Sequence, residues 1–99
     1  MAMQTRQILN AVSGSGRSPF FLVEDDRVDV HVIFNSAGGT ARLVASADGV
    51  NYAPLNGVPE LTTSIVYALD LAEGTYLAVE YTSAVNLSAS VIPYRFKQL

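Results

Sequence analysis

From Arg27 to Phe34 (RVDVHVIF) the chain alternates, with Val28, Val30, Val32 and Phe34 on one side and Arg27, Asp29 and His31 on the other. Only Ile33 breaks the pattern, which predicts a half-buried β-strand. Thr40–Ser46 (TARLVAS) sets Ala41, Leu43 and Ala45 on one face, with Val44 out of step. Ser64–Leu71 aligns Ile65, Tyr67, Leu69 and Leu71. Thr75–Thr82 aligns Leu77, Val79 and Tyr81, and Leu87–Val91 aligns Leu87, Ala89 and Val91. Wound into helices, these segments would spread their apolar residues around the whole circumference. They read as strands, with Tyr67 and Tyr81 on core faces. Phe20-Phe21-Leu22-Val23 opens a further strand that stops at the acidic turn Glu24-Asp25-Asp26.

Turn signals separate these runs. Gly38-Gly39 supplies the positive φ of a tight reversal, and Ala47-Asp48-Gly49, Leu55-Asn56-Gly57 and Ala72-Glu73-Gly74 mark others. Pro54 and Pro59 fall between strands, where no ladder hydrogen bond is lost. No amphipathic helical pattern occurs, so βαβ architectures are excluded. The expected fold is all-β, a small antiparallel β-sandwich, immunoglobulin-like or a similar Greek-key or jelly-roll barrel, with an N-terminal arm. Residues 1–19 read as that arm or as a first strand, in either case with a flexible joint at Ser13-Gly14-Ser15-Gly16-Arg17-Ser18. Residues 20–99 form the sandwich domain, ending in a short tail, Pro93–Leu99, that breaks alternation.

Composition narrows the function. The chain has 99 residues, 49% of them hydrophobic, and a net charge of −3. That is one domain with a sizeable core, too apolar for disorder and too acidic for a broad phosphate-binding surface. No apolar stretch approaches the ~20 residues that span a bilayer, and MAMQTRQILN lacks the order of a signal peptide. Neither nucleic acid nor membrane is expected as a partner. With no cysteine, thiolate metal sites and cysteine nucleophiles are excluded.

The remaining chemistry is sparse. His31, the sole histidine, falls on the polar face of its strand and reads as a surface residue beside Asp29. No serine lies in G-x-S-x-G, and Gly14-Ser15-Gly16 lacks the ending of a phosphate loop. An enzyme is not expected, nor a cofactor. Glu24, Asp25, Asp26 and Asp29 cluster without calcium-loop spacing, so no metal site is assigned. Asp48-Gly49-Val50-Asn51 reads as a turn rather than a ligand loop, and Asn86-Leu87-Ser88 as a turn into a strand rather than a glycosylation site. Among the tyrosines, Tyr76 falls opposite its core face, as a corner tyrosine or an interface residue. Tyr52 and Tyr76 are the aromatics available to a carbohydrate, although tryptophan, the usual stacking residue, is absent.

Two phrases carry a resemblance. Ala45-Ser46-Ala47-Asp48-Gly49-Val50-Asn51-Tyr52-Ala53-Pro54-Leu55 resembles the S-x-D-G-x-N-[WY] strand–turn–strand phrase of small β-sandwiches. Leu69-Asp70-Leu71-Ala72-Glu73-Gly74-Thr75-Tyr76-Leu77-Ala78-Val79 resembles their L-x-x-G-T-Y-x-x-V corner. Over roughly Val28–Val91 the chain is similar to small structural proteins of tailed-phage virions, most of all capsid decoration (cement) proteins. It is also similar to fibronectin-type and immunoglobulin-like domains, whose buried tryptophan it lacks. The virion resemblance implies a non-enzymatic protein on the capsid surface that stabilises a phage capsid across subunit joints. It implies the major capsid protein as partner, and self-association, with a trimer matching capsid three-fold positions. The anchoring residues expected on that basis are Arg6, Ile8, Leu9 and Arg17 in the arm, Phe20 after it, and Arg95 and Phe96 in the tail. Ile8 and Leu9 equally suit an ordinary first strand, and Phe20 and Phe96 plain core packing. The competing expectations are a carbohydrate-binding or host-adhesion module using Tyr52 and Tyr76, and a tail or head–tail connector component.

Overall fold

The computed structural model describes residues 5–24 and 27–93. These residues form seven strands and no helix: β1 (Arg6–Arg17), β2 (Phe21–Leu22), β3 (Arg27–Phe34), β4 (Thr40–Ser46), β5 (Ala53–Pro54), β6 (Ile65–Asp70) and β7 (Tyr76–Pro93). Every pairing is antiparallel, in one continuous sheet of order β5-β4-β7-β3-β6, with β1 and β2 both pairing with β7. The all-β, antiparallel fold expected from the alternation is present.

The sheet is organised around β7, which is long enough to serve both of its halves. Its first half, Tyr76–Thr82, pairs with β4 on one side and with β2 and the end of β1 on the other. Its second half, Leu87–Pro93, pairs with β3 and with the start of β1. Between them the chain bends. Ser83 and Asn86 have φ of 52°, and Ala11 in β1, which faces Ser88 just beyond them, has the same value. On the other side β3 gives way to β4 through Asn35–Gly39 at the same level. The fold line thus crosses three strand paths at once. Strands that bend from one layer into the next are how a small sheet closes on itself. Here both halves supply one core: Val28, Val30 and Val32 from β3, Leu43 from β4, Leu77 and Val79 from the first half of β7, and Leu87 and Val91 from its second half. All eight are fully buried, and burying each such side chain contributes about 1.5–3 kcal/mol.

Three expectations change. Pro54 falls not between strands but in the short edge strand β5, opposite Val44. Thr75–Thr82 and Leu87–Val91 are one strand rather than two. The flexible joint is not present, because Ser13–Arg17 continue β1 as far as the partners of Tyr81 and Glu80. Of the readings open for residues 1–19, the described part follows the first strand: Ile8 and Leu9 are buried in the core. The β1–β7 register slips four times between Gln7 and Gly16, and serine hydroxyls take up amides along it. Ser88 Oγ accepts from Ala11 N (2.9 Å), Ser15 Oγ from Ser83 N (3.0 Å) and Ser13 Oγ from Asn86 N (3.3 Å). A Gly/Ser run is what a bulged strand needs here, since a Cβ on Gly16 would press on the Tyr81 hydroxyl at 3.0 Å.

Candidate functional site

The elements around the start of β7 converge on one exposed surface. Tyr76 opens β7 and stands between Leu22 of β2 and Ser46 of β4 in the sheet register. Leu77 and Val79 face the core, so alternation turns Tyr76, Ala78 and Glu80 outward. In the row of Glu80, Arg17 and Arg42 are its partners on either side. Ala78 and its partner Val44 are buried on this outward face without belonging to the main core. Together they make a second, small apolar floor beside Tyr76.

Two ring contacts lie on this side. Phe20 meets Tyr76 edge to face, with centroids 4.9 Å apart and planes at 82°, the geometry aromatic quadrupoles favour. The Arg17 guanidinium lies 4.1 Å from the centroid of Tyr52, a cation–π contact. Tyr52 follows the loop from β4, and that loop is held from within. Ser46 Oγ donates to Asp48 Oδ1 (2.7 Å) and accepts from the amides of Asp48 (3.2 Å) and Gly49 (2.9 Å). Asp48 Oδ1 also accepts from the amides of Val50 (2.8 Å) and Asn51 (2.9 Å), and Oδ2 from Asn51 Nδ2 (2.9 Å). The amides of Asn51 and Val50, then the Ser46 hydroxyl, hold the Asp48 carboxyl far below the usual carboxylate range. With its oxygens spent on the loop, Asp48 acts as a clamp, as a turn residue should. The loop packs on the sheet at Gly49, where a Cβ would lie 3.3 Å from the Tyr76 ring.

This arrangement gathers four of the expected residues, Arg17, Phe20, Tyr52 and Tyr76, which sequence reasoning had divided between a capsid anchor and a sugar platform. The chain matches no known family model, no characterised protein and no solved structure. Its surface is therefore read from its own geometry. Phe20 is 47% exposed, Leu22 39% and Val50 72%, whereas Tyr52 and Tyr76 are each half-buried under a neighbour. The rings proposed for a sugar thus carry a partner on one side already, and the freely presented groups are Phe20, Leu22 and Val50. Sequence reasoning missed Val50; its signal was an apolar residue inside an otherwise polar turn.

The other expected residues lie elsewhere. Arg6 is exposed at the start of β1, and Ile8 and Leu9 are core. Arg95 and Phe96 fall outside the described residues, as do Asp25 and Asp26 of the acidic cluster; Glu24 is exposed and Asp29 half-buried in β3. His31 lies half-buried on the outward face of β3, between Val66 and Ser90 in register.

Proposed function

We propose that this chain is a non-enzymatic structural protein that decorates a phage capsid, attaching to the major capsid protein through the surface built by Phe20, Leu22 and Val50. The observation that carries this reading is the shape of that surface. Three exposed apolar groups stand on a base of paired rings and a hydrogen-bonded loop, so little conformational freedom is left to lose on binding. Preorganised apolar anchors of this kind are what a tight protein–protein contact is built on. The two phrases that carry the virion resemblance support the reading from another side, because the Ala45–Leu55 phrase forms the loop and the Leu69–Val79 phrase delivers Tyr76. The occupied rings of Tyr52 and Tyr76 weigh against a sugar-stacking module.

The test is quantitative mass spectrometry of the purified source particle, comparing copies of this chain with copies of the major capsid protein. A ratio near one, or a simple fraction of it, is expected. A handful of copies would move the chain to the tail or portal, and absence from the particle would overturn the proposal. Attachment is checked with Phe20→Ser and Val50→Ser, exposed positions whose change leaves the core intact. Each is expected to lower occupancy on particles lacking the chain by about tenfold, the effect of losing one well-packed anchor.

A further inference from the structure

Away from that surface, the sheet presents edges that are defended unequally. The free edge of β1 carries repeated register slips, a non-glycine residue at positive φ and a glycine at positive φ. That of β5 is two residues long and includes Pro54. Short, bulged or proline-bearing edges resist pairing with another strand. β6 has none of these devices. It runs six residues, Ile65–Asp70, without glycine, proline, lysine or arginine. Its register with β3 is unbroken from Arg27↔Asp70 to Val32↔Ile65, and among the described residues no strand pairs with its other side. Val66 is 53% exposed and Ile65 37%.

We propose that β6 is the edge at which a second copy of this chain pairs, antiparallel across a two-fold axis, to continue the sheet. An extended strand offers one row of N–H and C=O groups, which an antiparallel copy of the same row satisfies in full. Charge selects the copy as occupant. Ile65–Leu69 carries no charge, so a chain of net charge −3 meets itself there without like charges facing across the seam. Side chains opposite one another in an antiparallel pair share a face, so the two-fold passes through Tyr67 or Ala68. Asp70 then faces Ser64 or Val66 of the second copy, and the two Asp70 carboxylates stand at opposite ends of the ribbon. Within its own chain Asp70 already has Arg27 opposite it in β3. The pairing is isologous and gives a dimer, in place of the trimer that the virion resemblance implied. It leaves Phe20, Leu22 and Val50 free, so the attachment surface and the dimer edge are separate.

The experiment is sedimentation velocity of the whole chain over a concentration series, for the native sequence and for Val66→Lys and Ala68→Lys. Both positions are exposed. The native chain is expected to pass from monomer to dimer as concentration rises, and Ala68→Lys, whose charge stands opposite or diagonal to its own copy, to need at least about tenfold more protein for the same dimer fraction. Val66→Lys does the same where the axis passes through Tyr67 and is offset by Asp70 where it passes through Ala68. Because the chain has no cysteine, Ala68→Cys alone reports an axis through Ala68, and Val66→Cys mixed with Ala68→Cys reports one through Tyr67, even if a lysine variant folds poorly. At least one is expected to form a disulfide-linked dimer under mild oxidation, whereas Asn10→Cys on the β1 edge is not. A native chain that stays monomeric throughout, a dimer indifferent to the lysines, or cross-linking equal at residues 10, 66 and 68 would overturn the proposal. None of these outcomes bears on attachment through Phe20.

Discussion

Asp48 shows how one side chain can set the shape of a functional loop. Its carboxylate collects hydrogen bonds from two backbone amides, the Ser46 hydroxyl and the Asn51 amide group, and all of them favour the charged form. A carboxyl held below its unfolded value of about 3.9 adds stability that is complete above that pH and is lost as pH falls toward the folded value. Thermal melts between pH 7 and pH 2 are therefore expected to show the native chain losing stability below about pH 4. Asp48→Asn, which has no such proton to bind, is expected to show a shallower acid loss; equal acid slopes would remove Asp48 from this role. Gly39 is a second position where one atom decides. Its φ is +78°, and an added Cβ would lie 2.4 Å from the Ser83 carbonyl oxygen and 2.7 Å from Ala84 Cα. Both are backbone atoms at the bend of β7, which cannot yield without moving the fold line. Gly39→Ala is expected to cost more than about 2 kcal/mol in denaturant unfolding, the joint cost of strain and overlap.

Among the elements, the strand pairs most exposed to error are those that pass through the fold line. Ser18 closes the last of them. It is 5% exposed; its amide donates to Val79 O (2.9 Å), and its hydroxyl accepts from Val79 N (3.0 Å) and donates to Pro19 O (2.9 Å). Ser18→Ala strands the buried Val79 N–H and is expected to cost about 1–3 kcal/mol. Hydrogen exchange should show the Val79 amide losing protection relative to Val30, which lies in β3 against the other half of β7. β3 and β4 were legible to the residue, because a single residue in each, Ile33 and Val44, departs from the alternation between turn signals. β7 was not. The polar residues Thr82, Ser83 and Asn86 interrupt its period at the bend, and an interrupted period reads as two strands. Nor was β1 legible, since Gly14 and Gly16 offer no side chain to register a face while serine hydroxyls replace part of its ladder. The candidate surface was legible only as parts. Tyr76 announced its outward face by alternation, but its meeting with Phe20 depends on the β2–β7 register, which local sequence does not encode.

For the whole molecule, the consequence is that the amino-terminal segment is not a detachable arm. β1 contributes Ile8 and Leu9 to the core, at 6% and 4% exposure, and lies along β7 from Val91 to Glu80. Its removal would uncover one side of the strand that joins both halves of the sheet. Losing two buried aliphatic side chains costs about 2–5 kcal/mol each. The lost β1–β7 hydrogen bonds, which leave β7 amides bare, add to that, against a total stability of about 5–15 kcal/mol for a domain. A chain beginning at Phe20 is thus expected to lose cooperative unfolding, seen as a broad or absent transition by circular dichroism. Arg6→Ala, at an exposed site on the same strand, is expected to melt within a few degrees of the native chain, as surface changes usually do. If the truncated chain instead melts sharply near the native temperature, β1 is an accessory to the fold and the arm reading returns. If it unfolds as expected, attachment must be sought through substitutions at the exposed Phe20 and Val50, since deleting the segment ahead of them removes the fold that presents them.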